Sequence, residues 1–480
     1  MSRHTTLVSS LTLLAMGCSP NGVVTLEGDT TPEAGQSYWE ADAADVLLYG
    51  DATGDEMGSP VRSAGDMDGD GMAELAVGSR GGQGAGAVYI VDPIDSGIME
   101  FAGGNAGIVY GEHSGDELGG FTTTGDINGD GYDDLLMVAN GNDDAGEDAG
   151  KVYLVPGPID GANGVDDIAW ASWTGWRAGS GTIVVNGASD LDGDGHVDLL
   201  LSSRSDTSKG NNTGAVYIVR GPLQPGEHSL RDADVVILGA KQGDFFGGNI
   251  AVLGDIDHDG TAEFLASAPS ADPGGLEKAG IVYVLPGDLP NGRHQVTDVF
   301  EARVYGEAPD DTLGWWLSSS DTDGDGTPEA VMSSLRNDDE TGAIYVIPEF
   351  TRTNAMVTEA ASFVGRGSFA GDRVNPVEGG GDVNGDGRSD LLVGARLKSE
   401  DAPGMAYMLT GPLPQGEHLL EDVAHTVFEG SSVSDGFGQP ASWAGDVDGD
   451  GLDDVAIGAR WADHDREDTG VAYLWYAANL

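Results

Sequence analysis

The chain has 480 residues, with 81 aspartates and glutamates against 22 lysines and arginines, which gives a formal net charge of −59 at pH 7. This balance excludes the basic patches on which binding to a phosphate backbone depends, so nucleic acid is not an expected partner. A single cysteine excludes disulfides within the chain, so an exported form of it must draw stability from another source.

The first segment of the chain has the features of an export signal. A basic residue near the start is followed by an apolar core over Leu7–Met16 and then by the small residue Gly17. We therefore assign residues 1–17 to a signal peptide. Ala15-Met16-Gly17-Cys18 resembles the cleavage box of bacterial lipoproteins, which predicts a lipidated Cys18; the alternative is an ordinary cleaved signal without lipid.

Residues 18–44 are predicted to form a lipidated cysteine followed by a flexible linker. They are rich in Gly, Thr, Pro, Asp and Glu and contain no long apolar run. No later stretch is apolar enough to span a bilayer, so membrane contact is expected only through an N-terminal lipid. The expected location is the cell surface or the outer membrane of a bacterial-type cell.

Seven copies of a nine-residue acidic loop follow, at intervals of 60 to 66 residues. Each copy has side-chain oxygens at positions 1, 3, 5 and 9, glycine at position 6, and a residue at position 7 that can supply a backbone carbonyl. Oxygen donors packed this densely around a sharp turn predict calcium, up to seven ions in all. The predicted ligands are Asp66, Asp68, Asp70, Met72 and Glu74; Asp126, Asn128, Asp130, Tyr132 and Asp134; Asp190, Asp192, Asp194, His196 and Asp198; Asp255, Asp257, Asp259, Thr261 and Glu263; Asp321, Asp323, Asp325, Thr327 and Glu329; Asp382, Asn384, Asp386, Arg388 and Asp390; and Asp446, Asp448, Asp450, Leu452 and Asp454.

Two other interpretations of the loops are weaker. An EF-hand needs a bidentate glutamate at position 12 between helices, and here position 12 is apolar in every copy, as at Val77 and Met137. Aspartate and glycine are also common in ordinary turns, but seven copies in register are not expected from turns alone. A short apolar run follows each loop, which places the loop in a β-hairpin. The sequence leaves open whether every loop is occupied.

Four strands recur in each unit of roughly 63 residues, which is typical of a propeller blade. One of them carries a Gly-x-x-Tyr motif, and the strand before each loop is poor in bulky residues, as expected near a central channel. The seventh unit stops at Leu480 after its third strand, while an unpaired strand over Asp45–Tyr49 precedes the first loop. The sequence thus predicts an all-β, seven-bladed propeller of four-stranded blades over residues 45–480, closed by the N-terminal strand in the last blade.

At this point the residues resemble a known family. Phe246-Gly247 and Phe437-Gly438, with Ser267-Ala268-Pro269 and Gly458-Ala459-Arg460, resemble the FG-GAP repeats of the integrin alpha-subunit propeller. Blades three and six lack the aromatic-glycine pair and are expected to pack less tightly. Only some blades of that family carry the calcium loop, whereas all seven do here, and binding that depends on a partner beta subunit is not carried over.

The resemblance implies a cell-surface adhesion or recognition module in which calcium holds the hairpins. A protein or glycan ligand is expected on the face opposite the loops. The aromatic residues of its bends could contact such a ligand, but packing between blades is the favoured interpretation of them; they are Trp173, Trp176, Phe245, Trp315 and Trp316. Five recurrent arginines, Arg80, Arg204, Arg336, Arg396 and Arg460, are interpreted as structural residues paired with carboxylates of neighbouring blades. The sequence leaves the oligomeric state open.

No catalytic motif is recognisable in the sequence. It contains neither Gly-x-Ser-x-Gly nor His-Glu-x-x-His, and no group of unlike residues breaks the sevenfold pattern. His228, His294 and His418 recur at one blade position and are interpreted as features of the repeat. We therefore expect no enzyme; the alternative is a secreted or surface-anchored hydrolase that uses a carboxylate or calcium site of the propeller.

Overall fold

The computed structural model describes residues 36–50, 52–92, 96–100, 106–181, 183–348, 350, 354–368, 371–395, 403–433, 435–463 and 467–480. These residues form seven sheets of five strands each, arranged as a seven-bladed β-propeller. The innermost strands of neighbouring blades contact one another, and the innermost strand of the first blade also contacts that of the seventh. The prediction of a seven-bladed all-β propeller is confirmed.

The strands in chain order are β1 (Ser37–Glu40), β2 (Val46–Tyr49), β3 (Met57–Gly65), β4 (Glu74–Ser79), β5 (Ala87–Val91), β6 (Gly97–Glu100), β7 (Ala106–Tyr110), β8 (Leu118–Gly125), β9 (Asp134–Ala139), β10 (Lys151–Pro156), β11 (Ala162–Gly164), β12 (Ala171–Thr174), β13 (Ile183–Ser189), β14 (Asp198–Ser203), β15 (Ala215–Val219), β16 (Gly226–Ser229), β17 (Val235–Leu238), β18 (Ile250–Gly254), β19 (Glu263–Ala268), β20 (Ile281–Pro286), β21 (Gly292–Gln295), β22 (Ala302–Tyr305), β23 (Leu313–Ser320), β24 (Glu329–Ser334), β25 (Ala343–Ile347), β26 (Asn354–Met356), β27 (Phe363–Arg366), β28 (Val374–Gly381), β29 (Asp390–Ala395), β30 (Met405–Leu409), β31 (Gly416–Leu419), β32 (Thr426–Glu429), β33 (Ala441–Gly445), β34 (Asp454–Ala459) and β35 (Val471–Trp475).

Helical segments are short and lie in the connections. The α-helices are α1 (Val165–Ile168), α2 (Val296–Val299), α3 (Asn337–Glu340), α4 (Val357–Ala360) and α5 (Leu420–Val423). Single 3-10 turns occur at Ala41–Ala43, Gly82–Gly84, Leu230–Asp232, Pro273–Gly275 and Ala477–Asn479. Within the described residues, no helix is long and apolar enough to cross a membrane.

Each blade has five strands, not the four that were predicted. The first four are antiparallel neighbours, as in the first blade, where β3, β4, β5 and β7 lie side by side. The fifth is a parallel strand supplied by the next unit of the sequence: β11 precedes β12 of the second blade in the chain but pairs with β7 of the first. These strands have three or four residues and exposed polar positions, so they lack the apolar alternation by which strands are recognised.

The N-terminal segment contributes to two blades. Strand β2 pairs with β35 as the fourth strand of the seventh sheet, and β1 pairs in parallel with β32 of the sixth. Residues from Ser37 onward are therefore part of the propeller, although they were assigned to the linker over 18–44. The predicted signal peptide, Cys18 and the linker residues up to 35 lie outside the described residues.

The apolar residues that define the repeat pack between the blades. Phe246 and Phe437 are fully buried, and each contacts the tyrosine of its neighbouring Gly-x-x-Tyr strand edge to face, with ring centroids 5.9 and 5.6 Å apart. In the sixth blade, which was expected to pack loosely, Val374 is also fully buried. A smaller apolar residue therefore fills the corresponding position there.

Candidate metal centres and the opposite face

The seven acidic loops lie on one face of the propeller, each between the first and second strands of its blade. Neighbouring loops are joined by backbone hydrogen bonds. The N–H of Asp133 donates to the carbonyl of Asp66 at 3.0 Å, and the N–H of Ser389 donates to that of Asp321 at 2.9 Å. Across the chain ends, the N–H of Ala73 donates to the carbonyl of Asp446 at 3.0 Å. These bonds link the first loop to the second and to the seventh, and the fifth loop to the sixth.

Backbone amides hold the aspartates of positions 1 and 5 in every loop. The glycine at position 6 has φ between 80° and 100°, which L side chains avoid, and its N–H donates to the carboxylate of position 1 at 2.8 to 3.1 Å. The N–H of position 7 donates to the carboxylate of position 5 over the same range. Each bond fixes one oxygen of a carboxylate and leaves a lone pair or the second oxygen for another partner.

The carboxylate at position 9 opens the second strand and is buried in all seven loops, with at most 5% of the residue exposed. It accepts the N–H of position 2 at 2.5 to 3.2 Å in every copy. Burial raises the pKa of Glu74 to about 7, of Asp134 to about 6 and of Asp454 to about 7. A buried carboxylate of this kind needs a nearby cation to be stable in its charged form.

The first loop fits a calcium ion by the chemistry and placement of its donors. One oxygen from each of Asp66, Asp68, Asp70 and Glu74 lies within 4.8 Å of the others. A fifth carboxylate, Asp92, follows the third strand of the same blade, and its pKa is raised by burial and by the charges of Asp68 and Asp70. Five carboxylates without an arginine or lysine among them are the hard-oxygen set that calcium prefers.

The third loop does not fit an ion in the same way, because an arginine occupies its interior. Arg220 Nη1 lies 3.1 Å from Asp192 Oδ2 and 3.0 Å from Asp198 Oδ2, so it contacts the predicted ligands at positions 3 and 9. Its Nη2 donates to the carbonyls of Gly287 and Leu289, and its side chain is only 12% exposed. The guanidinium therefore supplies the positive charge at this site.

A missing hydrogen bond accompanies this arginine. In six loops the N–H of position 5 donates to the side-chain oxygen of position 3 at 2.8 to 3.2 Å. In the third loop the N–H of Asp194 donates to Asp190 alone, and the buried Oδ1 of Asp192 has no hydrogen-bond partner. Arg220 thus coincides with a different orientation of the position-3 carboxylate, although Asp190, Asp192 and Asp194 still approach within 4.8 Å.

Sequence reasoning missed Arg220 and Asp92 because neither belongs to the nine-residue pattern. Both are the residue that follows the Gly-x-x-Tyr strand, where the other blades have Pro156, Pro286, Pro348, Thr410 and Tyr476. That strand ends beside the loop, so a charge there is close to the position-9 carboxylate. When the seven units are aligned, this position holds a charged residue in two of them and an uncharged residue in the other five. That contrast is the signal that identifies both residues in the sequence.

The aromatic and histidine candidates mostly have structural contacts. Trp173 is buried and stacks on His228 with ring centroids 5.5 Å apart, and Trp176 donates its indole N–H to Asp206 at 2.9 Å. His228 and His294 each place Nε2 against a backbone carbonyl, at 2.8 and 2.7 Å. Trp315 differs from these residues, because 38% of it is exposed.

The recurrent arginines are not arranged as predicted. Arg80, Arg204 and Arg460 line a cavity on the face opposite the loops, and Arg80 and Arg204 make no ion pair within the described residues. Arg336 lies one position later in its blade and does not line that cavity, and Arg396 lies outside the described residues. The predicted pairing with neighbouring carboxylates is therefore wrong for Arg80 and Arg204.

Fold and loops together define a seven-bladed propeller with an acidic hairpin loop in every blade. Residues 63–91, 118–155, 246–285 and 442–475 match the FG-GAP repeat family. Integrin alpha pat-2 of Caenorhabditis briggsae is 28% identical over 265 residues, which are 52% of this chain and 20% of that protein. The chain is therefore a seven-bladed propeller that contains FG-GAP repeats and is similar over part of its length to integrin alpha subunits.

Other relatives are more varied. Phosphatidylinositol-glycan-specific phospholipase D of Rattus norvegicus is 34% identical over 162 residues, which are 31% of this chain and 18% of that protein. The chain spans about a fifth of the length of these curated relatives. Among solved structures, BBS1N in its complex with ARL6DN superimposes with a TM-score of 0.45 and 9% identity, over 90% of this chain and 94% of that chain.

Proposed function

We propose that the chain is a calcium-stabilised recognition module of the adhesion type. The observation that supports calcium most directly is the first loop, where oxygens of Asp66, Asp68, Asp70 and Glu74 lie within 4.8 Å of one another and no basic side chain enters the site. The same pattern of backbone hydrogen bonds recurs in the second, fourth, fifth, sixth and seventh loops. Six loops are thus the proposed calcium sites. In the sixth, Arg388 lies 3.4 Å from Asp386 but is 39% exposed at the rim, whereas the buried Arg220 neutralises the third.

The proposed ligands in those six loops are the side chains of positions 1, 3, 5 and 9 and the carbonyl of position 7. Calcium, when bound, supplies positive charge beside the buried position-9 carboxylate. The protein's own part is to fix the loop: the N–H groups of positions 2, 6 and 7 orient three carboxylates before any ion arrives. Binding to the folded chain alone then stabilises it by mass action.

Thermal unfolding of the chain tests this proposal. We expect the midpoint to rise with millimolar calcium, and to rise much less with the same concentration of magnesium, which demands a smaller and more regular shell. The magnesium sample is the control for general screening of the −59 charge. A midpoint that is the same in calcium and in EGTA would contradict the proposal.

We also propose that the module is exported and held at the cell surface through Cys18. The support is the sequence alone: the leader over residues 1–17 and the cleavage box that ends at Cys18. Expressed in a bacterial host, the chain should fractionate with membranes, and Cys18→Ser should release it into the soluble fraction. A wild-type N-terminal peptide without acyl chains by mass spectrometry would refute the lipid anchor.

The hydrolase alternative has one observation in its favour, the enzyme named among the relatives. Only 18% of that protein aligns with this chain, so its activity is not carried over. Outside the loops, one described group of three metal-ligating side chains contains Glu112, His113 and Asp116, but Glu112 already binds Lys151 at 3.0 Å and Tyr153 at 2.9 Å. Turnover of a phosphodiester or glycosidic substrate by the calcium-loaded chain would overturn the recognition proposal.

A further inference from the structure

The face opposite the acidic loops has a cavity of about 370 Å³ at the centre of the propeller. All seven blades contribute to its wall, mainly through residues at the start of the first strand and just after the second. Its volume is within the range of pockets that bind small ligands, roughly 300 to 1,000 Å³. The cavity is therefore large enough for one or two sugar rings or a few side chains.

The charge of this cavity is opposite to that of the chain. Acidic residues outnumber basic ones 81 to 22 in the sequence, yet among the described residues four arginines and no aspartate or glutamate line the cavity. The four are Arg62, Arg80, Arg204 and Arg460. In a strongly acidic protein, the electrostatic energy of an anion is lowest at such a site, because the rest of the surface repels anions.

The arginines differ in how far the protein neutralises them. Arg62 pairs with Glu378 at 3.1 Å, and Arg460 lies over the ring of Trp461, with its guanidinium carbon 4.3 Å from the ring centroid. Arg80 and Arg204 have neither an ion pair nor a side-chain hydrogen bond within the described residues. Arg204 is half-buried, and burial lowers its pKa. A half-buried guanidinium without a partner is costly unless an external anion pairs with it.

Uncharged groups of the cavity point to a ligand that also carries hydroxyl groups. Asn249, which is 5% exposed, and Gln439 both line the cavity, and the amide oxygen of each lacks a hydrogen-bond partner. Trp315 and Trp316 form part of the same wall, and 38% of Trp315 is exposed. Amide oxygens accept from hydroxyls, and an exposed indole provides a flat apolar surface on which the C–H face of a sugar ring can lie.

We propose that this cavity binds the acidic end of a glycan, a pyranose that bears a carboxylate. Arg80 and Arg204 pair with the carboxylate, and Trp315 contacts the ring. This assignment rests on the proposed role of the chain as a recognition module and names the ligand class of that role. An acidic peptide satisfies the arginines equally well, and its backbone N–H groups can donate to the two amide oxygens, but its carboxylate side chains offer no ring face to the exposed surface of Trp315.

Titration calorimetry on the calcium-loaded chain tests the assignment with four probes. They are a galacturonate trisaccharide, N-acetylneuraminic acid, a neutral galactose trisaccharide and a glutamate tetrapeptide. We expect at least one acidic sugar to bind and the neutral trisaccharide to bind at least tenfold more weakly. Arg80→Gln and Arg204→Gln should each weaken binding of the acidic sugar about tenfold, since each removes a charge-assisted bond.

The matched control is Arg336→Gln, which removes one exposed arginine after a second strand without altering the cavity wall. It should bind the acidic sugar as the wild type does. Failure of both acidic sugars to bind, equal binding of the neutral trisaccharide, or equal losses in all three variants overturns the assignment. Tighter arginine-dependent binding of the tetrapeptide overturns it in favour of an acidic peptide. The calcium-dependent melting of the same samples separates these outcomes from failure of the calcium proposal.

Discussion

The first and third blades differ in the charged residue that lies beside the buried carboxylate of the acidic loop. Both bury a carboxylate at position 9 of the acidic loop, Glu74 in one and Asp198 in the other. The first blade adds another acid beside it, Asp92, whereas the third places Arg220 at the same position of the repeat. Under the proposed function, the first loop takes its cation from solution, whereas the third has the guanidinium of Arg220 within the chain. The nine-residue motif alone therefore does not describe the charge of a loop, because a residue outside the motif can place a guanidinium against its carboxylates.

Removing the internal cation gives the largest expected effect. Arg220→Met keeps much of the side-chain stem but leaves Asp192 and Asp198 without a positive partner, which should lower the free energy of unfolding in EGTA by about 3 kcal/mol. Calcium should restore part of the loss, because the third loop then resembles the other six. Urea unfolding in EGTA and in calcium measures both effects.

The control for this variant is Arg231→Met, which changes an exposed arginine of the same blade. It should leave the free energy of unfolding almost unaltered. Equal stabilities of Arg220→Met and wild type in EGTA would show that the guanidinium does not neutralise the third loop.

Truncating the position-3 carboxylate should separate the two loops more directly. Asp68→Ala removes a proposed calcium ligand and should reduce the calcium-dependent part of the stability by about 2 kcal/mol. Asp192→Ala removes a partner of Arg220 and should lower stability equally in EGTA and in calcium. Unfolding with and without calcium, together with counting of bound ions by equilibrium dialysis, measures the difference. An equal loss of bound calcium in both variants would contradict the distinction.

A titratable group far from both loops provides a calcium-independent reference. Burial raises the pKa of Asp244 to about 6, against an ordinary value of 3.8, so its neutral form is favoured in the folded chain. The stabilising contribution of the neutral acid is complete below about pH 4 and is lost as the pH rises to about 6. The free energy of unfolding of Asp244→Asn should therefore rise by about 1 to 2 kcal/mol relative to that of the wild type as the pH increases across that window.

The measurement for Asp244→Asn is the free energy of unfolding in EGTA at several pH values between about 4 and 7. Neutral Asn keeps the shape of the protonated acid. Parallel curves for the variant and the wild type would contradict the assignment of a raised pKa. The same curves with calcium present show how much of the remaining pH dependence belongs to the loops.

The smallest net effect on stability is expected when an arginine is placed beside the first loop, at the repeat position that Arg220 occupies beside the third. Asp92→Arg should remove one bound calcium ion while lowering total stability by only about 1 kcal/mol, since the new guanidinium replaces the charge of the lost ion. Asp92→Asn is the matched control and should retain the ion with weaker affinity. Equilibrium dialysis gives the number of ions, and an unchanged number in Asp92→Arg would refute the equivalence of the two positions.

Much of this architecture was accessible from the sequence because it depends on repetition. Seven loops in register give the number of blades, and Gly71 and its counterparts give the turn, since each requires a positive φ. What was missed depends on contacts between units. Gly226–Ser229 has no strand pattern of its own and becomes a strand by pairing with Ala171–Thr174. The roles of Arg220 and Arg204 depend on the residues that lie beside them in the folded chain, which come from distant parts of the sequence.

The parallel fifth strands also have a consequence for how the propeller comes apart. Every blade completes its sheet with a strand that belongs, along the chain, to the next unit, and β1 and β6 extend this arrangement across the chain ends. If one blade unfolded alone, the preceding blade would lose its fifth strand, and the fourth strand of that blade would become exposed. Unfolding of one blade therefore costs the contacts of its own sheet and a strand pairing of the neighbouring sheet. The seven units should lose their structure in one cooperative transition, unlike an open array of repeats that can fray from its ends.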